Sequence, residues 1–427
     1  MQTFSLSTLA ALHAQGDPVG ITSVCSAHSI VIEAALREGL HGNGPVLIEA
    51  TCNQVNHEGG YTGMTPADFR LFVLRIADSV GFDHRRLLLG GDHLGPNPWK
   101  NLPAEEALGR AEKMLEAYVQ AGFSKIHLDA SMGCLGEVEP LSGDLVAERA
   151  ARLAAVAERA ATQSGLRGPV YVIGTEVPVP GGAMEVVENL QVTTAEAARE
   201  TIASHQRAFA ALGLQDAFSR VIGVVVQPGV EFGNENVVVY DSSKARSLSA
   251  VLAQEQQVVF EAHSTDYQPQ SALNALVQDG FAILKVGPGL TFALRETLYA
   301  LDHIASVLYA RPEQLGLRQA MERLMLAEPH YWDKYYHGDS QALRLQRHFS
   351  YSDRIRYYWP SAEAHAAVEA LLSTLGERAI PETLISQYLP ELYPQVVKGD
   401  CAATAHALLL GSVRRVLATY QRACQGT

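Results

Sequence analysis

The chain is poor in cysteine. Its five cysteines (Cys25, Cys52, Cys134, Cys401, Cys424) are odd in number, widely separated and form no CxxC pair. That excludes a disulfide frame or a structural zinc knot and suits a reducing cytoplasm. Basic residues are outnumbered, 33 Lys and Arg against 46 Asp and Glu, for a formal charge of −13. Nucleic acid and acidic membrane surfaces call for basic patches, so neither is expected as a partner. No apolar run approaches the roughly 18 residues of a membrane span. The opening MQTFSLSTLAALHAQGD lacks a basic stretch ahead of an apolar core and does not read as a signal peptide. There is no GxxxxGK[ST] loop, which argues against an ATP-driven kinase.

What is present is apolar and periodic. A hydrophobic share of 47% over 427 residues is ample for a large core. After a short amphipathic N-terminal helix ended by Gly16 and Pro18, one pattern recurs. A β-branched apolar run ends in polar residues, and an amphipathic helix follows. The runs are Ile21–Cys25, Val46–Ala50, Leu87–Asp92, Lys125–Ala130, Val170–Thr175, Val221–Val226, Val258–Ala262 and Ala282–Val286. Thr65-Pro66 opens one helix with an N-cap and a first-turn proline; Gly122 and Gly213 close two others. Eight such units predict a (β/α)₈ TIM barrel over residues 1–310, including the N-terminal capping helix. A doubly wound open sheet is the alternative, disfavoured by the lack of a Gly-rich first turn. Residues 311–427 lose the alternation, are rich in aromatics, and read as a helical appendage packed on the barrel.

In a barrel, residues past the C-terminal ends of the strands line one mouth. Here they include Asn53; Asp92, His93 and Asn97; His127 and Asp129; Glu176; Gln227; Glu261, His263, Ser264 and Asp266; and Lys285, Gly287 and Gly289. His93, Glu176 and His263 are imidazole and carboxylate donors suited to a divalent ion such as Zn²⁺, Mn²⁺ or Mg²⁺. Asp92, as His93's neighbour, is expected to point elsewhere and to act as general acid or base. The segment Gly287-Pro288-Gly289 lies between the last strand and a helix, where barrels commonly hold phosphate, with Ser264 and Asp266 flanking it. The stretch from Glu176 to about Val192 is long for a βα connection and reads as a lid. Arg354 and Arg356 are candidates for anion recognition, although a solvated or salt-bridged pair is the more common role of such residues.

Nine stretches carry a family resemblance: GITSVCSAHSIVIEAAL, VLIEATCNQVNHEGGYTGMTPADF, LLGGDHLGPNPW, AGFSKIHLDASM, YVIGTEVPVPGG, VVQPGVEF, FEAHSTDYQ, ILKVGPGLTFALRE and SDRIRYYWP. In them the chain resembles, almost end to end, the accessory ("non-catalytic") subunit of class II D-tagatose-1,6-bisphosphate aldolases, a family that includes ketose 6-phosphate 4-epimerases. The resemblance implies a divergent (β/α)₈ barrel with a helical C-terminal part, acting in ketose catabolism. Class II aldolases carry an Asp–His pair at the same strand end, the Asp donating a proton and the His binding zinc. Asp92-His93 match it. Of the two further zinc histidines only His263 has a clear counterpart, since the fifth and sixth strands end in Glu176 and Gln227. The expectation is therefore a metal-dependent epimerase, with zinc first and Mn²⁺ or Mg²⁺ as alternatives, that interconverts fructose- and tagatose-type ketohexoses at C4 by retro-aldol chemistry. Asp92 and Asp129 are its acid/base pair, and His93, Glu176, His263 and Gln227 its metal shell. Asn53, Asn97, Glu261, Ser264, Asp266, Lys285, Gly287 and Gly289 are expected to bind substrate. The alternative is an accessory subunit that supports a separate catalytic aldolase; a homo-oligomer is compatible with either.

Overall fold

The computed structural model describes residues 5–175, 190–309 and 316–425. Its strands are β1 (Ile21–Cys25), β2 (Val46–Thr51), β3 (Leu87–Leu94), β4 (Lys125–Leu128), β5 (Val170–Ile173), β6 (Val221–Val226), β7 (Glu231–Phe232), β8 (Val237–Val238), β9 (Val259–Ala262) and β10 (Ile283–Val286). Eight of them form a closed parallel barrel in the order β1-β2-β3-β4-β5-β6-β9-β10, with β10 returning to pair with β1. β7 and β8 form a separate antiparallel ribbon that the sequence pattern does not announce.

The connecting helices begin and end where local chemistry directs. Thr65 caps the helix Pro66–Val80, accepting from Asp68 N–H, while the Asp68 carboxylate answers back in a capping box. Gly81, at φ 70°, ends the helix in a left-handed conformation that a side chain would strain. Thr194 caps Ala195–Ala211 by accepting from Ala197 N–H.

The barrel interior changes character along its axis. At the N-terminal end Ile21, Leu47, Val172, Ile222, Val225, Val259 and Ile283 pack together, plugged from below by Leu6 and Leu9. Above this apolar layer four strands each place one charged side chain inside: Glu49, Lys125, Glu261 and Lys285, all buried. Gly90 is what admits Glu49, because a Cβ there would lie 2.7 Å from Glu49 Oε1.

The C-terminal region is helical and packs on this frame. The helix Ala405–Cys424 lies against the helices Ser29–Gly39, Gln270–Gln278 and Pro288–Tyr309 and against β1. The Cys424 carbonyl accepts from Gly20 N–H at 2.9 Å, and Tyr420 Oη donates to the Thr265 carbonyl at 2.6 Å. No helix among the described residues is long and apolar enough to cross a membrane.

Candidate active site and metal centre

Strand β3 brings Asp92 and His93 to the mouth together. Neighbours on a regular strand point to opposite faces, so the expectation was that they would diverge. Instead the pairing with β4 shifts register between Gly91 and Leu94, and His93 adopts φ 50°. The irregularity turns both side chains toward one cavity. Ser264, also on the cavity wall, has φ 54°. Strained backbone of this kind persists where the surrounding structure enforces it, and it gathers at functional sites.

His93, Asp92, His127 and His263 each offer a ligating atom, all within 4.8 Å of one another, and all four are buried. Asp129 orients His93: its Oδ2 accepts from Nδ1 at 2.8 Å, which turns Nε2 to the cluster. The other Asp129 oxygen accepts from Ser131 N–H and Oγ–H at 3.1 and 2.6 Å. Both Asp129 oxygens therefore have partners. His127 Nδ1 faces an acceptor, Asp92 Oδ1 at 2.9 Å, and a donor, the His93 amide at 3.1 Å. His127 Nε2 is buried with no hydrogen-bond partner. His263 is held by Glu261 Oε1 at 2.9 Å from its Nε2.

Beneath the cluster lies the charged layer. Lys125 Nζ sits 2.6 Å from Glu49 Oε1 and 2.7 Å from Glu261 Oε2. Lys285 pairs with Glu49 Oε2 and, at 2.7 Å, with Asp92 Oδ1. Desolvating such ions costs several kcal/mol each, and apolar residues of the same size would serve stability as well or better. Burial opposes the charge on Asp92, but His93 and Lys285 outweigh it and hold the carboxyl well below the usual range. Likewise Asp92 and Asp129 overcome the burial of His93 and raise its imidazole.

The donor set fits a divalent cation. Two lysines face four carboxylates (Asp92, Asp129, Glu49, Glu261), which leaves two negative charges uncompensated when the imidazoles are neutral. The orphaned His127 nitrogen and the carboxylate-oriented His93 are the features expected of metal ligands.

Other expected site residues fall differently. Glu176, and the expected lid up to residue 189, lie outside the described residues. Gln227 stands apart from the cluster, its Oε1 accepting from Gly229 and Val230 N–H at 2.8 and 2.9 Å. Asn97 begins a turn beside Cys52 and does not line the cavity. Asn53, Ser264, Asp266, Lys285 and Gly287 do. The amides of Gly287 and Gly289 both donate to Asp266 Oδ1, at 2.9 and 2.7 Å. Burial pushes the Asp266 carboxyl up to about 6 against the pull of those two amides. Neither Arg354, which is buried, nor Arg356, which is half-buried, forms a salt bridge among the described residues. Arg354 donates to the Tyr331 carbonyl at 2.7 Å, and Arg356 lines the cavity with Tyr357 and Tyr61.

Residues 6–425 match the family described as D-tagatose-1,6-bisphosphate aldolase subunit GatZ/KbaZ-like. The chain belongs to this GatZ/KbaZ-like family. Among its relatives is a protein of Agrobacterium fabrum named D-tagatose 6-phosphate 4-epimerase, 58% identical over 99% of this chain and 98% of its own length. A crystal structure described as a probable tagatose 6 phosphate kinase from Sinorhizobium meliloti 1021 shares the fold at a TM-score of 0.88. It is 57% identical, covering 95% of this chain and all of its own.

Proposed function

We propose that this GatZ/KbaZ-like chain is a metal-dependent ketose 6-phosphate 4-epimerase that inverts C4 by retro-aldol cleavage and re-addition. The observation that carries the reading is the Asp92–His93–His127–His263 cluster at the floor of an open cavity. The A. fabrum relative's name supports the substrate class.

His93, His127 and His263, with Asp92 beside them, would hold the ion. A divalent cation, zinc in first place, would act as a Lewis acid on the ketose carbonyl. Asp92, in contact with His127, is placed to take the proton of the C4 hydroxyl as the C3–C4 bond breaks, and to return it after the aldehyde fragment has turned its other face. Lys285, 2.7 Å from Asp92, keeps that carboxylate ionised. Asp129 positions His93 through Oδ2, while its Oδ1 accepts from Ser131. Fructose and tagatose 6-phosphates differ only at C4, so a site that retains both fragments interconverts them.

The test is proton NMR of the purified chain with fructose 6-phosphate, before and after EDTA, then with Zn²⁺, Mn²⁺ or Mg²⁺ restored. Tagatose 6-phosphate forming only with metal is the expected result; no conversion with any metal would remove the epimerase reading. The family description favours a second reading, an accessory subunit of a catalytic aldolase. That reading predicts undiminished support of the aldolase by a His93→Ala chain. A kinase has no phosphate-cradling GxxxxGK[ST] loop to draw on.

A further inference from the structure

The turn from β10 into the helix Pro288–Tyr309 is where a barrel usually offers backbone N–H groups to a phosphate. Here that place is taken. Asp266 Oδ1 accepts from both glycine amides, and a Cβ built on Gly289 would lie only 3.1 Å from the same oxygen. A phosphate arriving there would find its donors engaged and a carboxylate in its path.

Another wall of the same cavity carries a cation of a different kind. Arg356 sits in the short turn Arg354–Tyr357 of the C-terminal region, and the turn is fixed from below. Its N-cap, Asp353, accepts from Thr291 Oγ1 at 2.6 Å and from Arg295 Nε at 2.9 Å, both on the helix that follows β10. The Arg356 guanidinium donates through Nη1 to the Ser352 and Asp353 carbonyls, and through Nη2 to Tyr357 Oη at 3.2 Å. It lies over the Tyr357 ring, 4.6 Å from the centroid. Those partners are uncharged, and among the described residues no carboxylate lies within ion-pair distance of it. Lys285, the other cation on the cavity wall, is already matched by Glu49 and Asp92. A guanidinium held rigid and half-buried, with Asp353 and Asp266 acting on it only from beyond ion-pair contact, is prepared for an anion.

We propose that Arg356 is the phosphate-recognition residue of this cavity, delivered by the C-terminal region to take the phosphate of a ketose monophosphate. The inference rests on the sugar-phosphate reading above and names the group that reads the phosphate. The experiment compares wild type with Arg356→Gln and Arg356→Lys, each first checked for fold by circular dichroism. KM and kcat are measured for a ketose 6-phosphate and for the same ketose without phosphate. Arg356→Gln should lower kcat/KM for the phosphate ester by about 10- to 100-fold, mostly through KM, and leave the free ketose little changed. Arg356→Lys should fall between, and it decides the matter if the Gln variant fails to fold. An equal fall for both substrates, or no fall, overturns the proposal. If the wild type converts no ketose, calorimetric titration with inorganic phosphate separates the two ideas. Binding lost in Arg356→Gln keeps the assignment while the epimerase reading falls. Binding that is absent from the wild type, or equal in both, overturns the assignment.

Discussion

The floor and the rim of the cavity are built on opposite plans. On the floor the charges sit in direct ion pairs, each side chain supplied by a different barrel strand: Glu49 from β2, Lys125 from β4, Glu261 from β9, Lys285 from β10. On the rim Arg356 rests on carbonyls and the Tyr357 ring, with residues from a region distant in sequence. A paired layer at the end of rigid strands holds reacting groups still. A cation on a later segment, with no carboxylate in direct ion-pair contact, is open to a ligand's charge. The contrast separates chemistry from recognition.

The comparison can be broken most directly at His93. His93→Ala should reduce turnover by about 10³-fold or more while circular dichroism and Tm stay near wild type; retained activity would mean that the floor is not the reaction centre. Lys125→Met tests whether the paired layer is interdependent. It strands Glu49 and Glu261 without their shared cation and should cost about 3–5 kcal/mol in urea unfolding. A loss below about 1 kcal/mol would show that the layer relaxes or takes in water. Asp129→Asn removes the charge that orients His93, and should weaken metal retention against a competing chelator by about 10- to 100-fold with the fold intact.

The smallest effect concerns histidines away from the floor. Burial holds His28 and His205 near 4, while unfolded histidine titrates near 6.5. Between those values the unfolded state binds more protons, so stability falls as the pH falls, by about 2 kcal/mol per histidine at pH 5. Thermal unfolding from pH 7 to 4.5 checks it: Tm should decline through that window. A flat profile would show that protons reach both imidazoles in the folded state.

Much of the frame is legible in the sequence because strands buried on both faces are unbroken apolar runs. β1 and β6 fall where the runs fall, and Thr65 and Thr194 cap the helices their side chains announce. The same completeness of burial hides the interior. In Lys125-Ile126-His127-Leu128 all four residues are buried, so hydrophobicity does not say which pair faces the axis. The period of two places Lys125 and His127 on one side, and that pairing is the signal that would have drawn His127 to the cluster. The joint inward turn of Asp92 and His93 depends on a register shift made with a neighbouring strand, which no local pattern encodes. Arg356 reaches the mouth only because Asp353 binds Thr291 and Arg295, some 60 residues earlier in the chain.

The helix Ala405–Cys424 bears on how the molecule comes into being. It covers β1, a strand made near the beginning of synthesis, and it touches the helices after β1, β9 and β10. Until residues 405–424 have left the ribosome, that part of the barrel's outer wall is open and its apolar face meets solvent. Nearly the whole chain must then be present before the first strand has its outer cover, a long-range closure that slows folding and prolongs the exposure of sticky surface. Nascent chains stopped short of this helix should be held by chaperones, and should pass to the native state only once it docks.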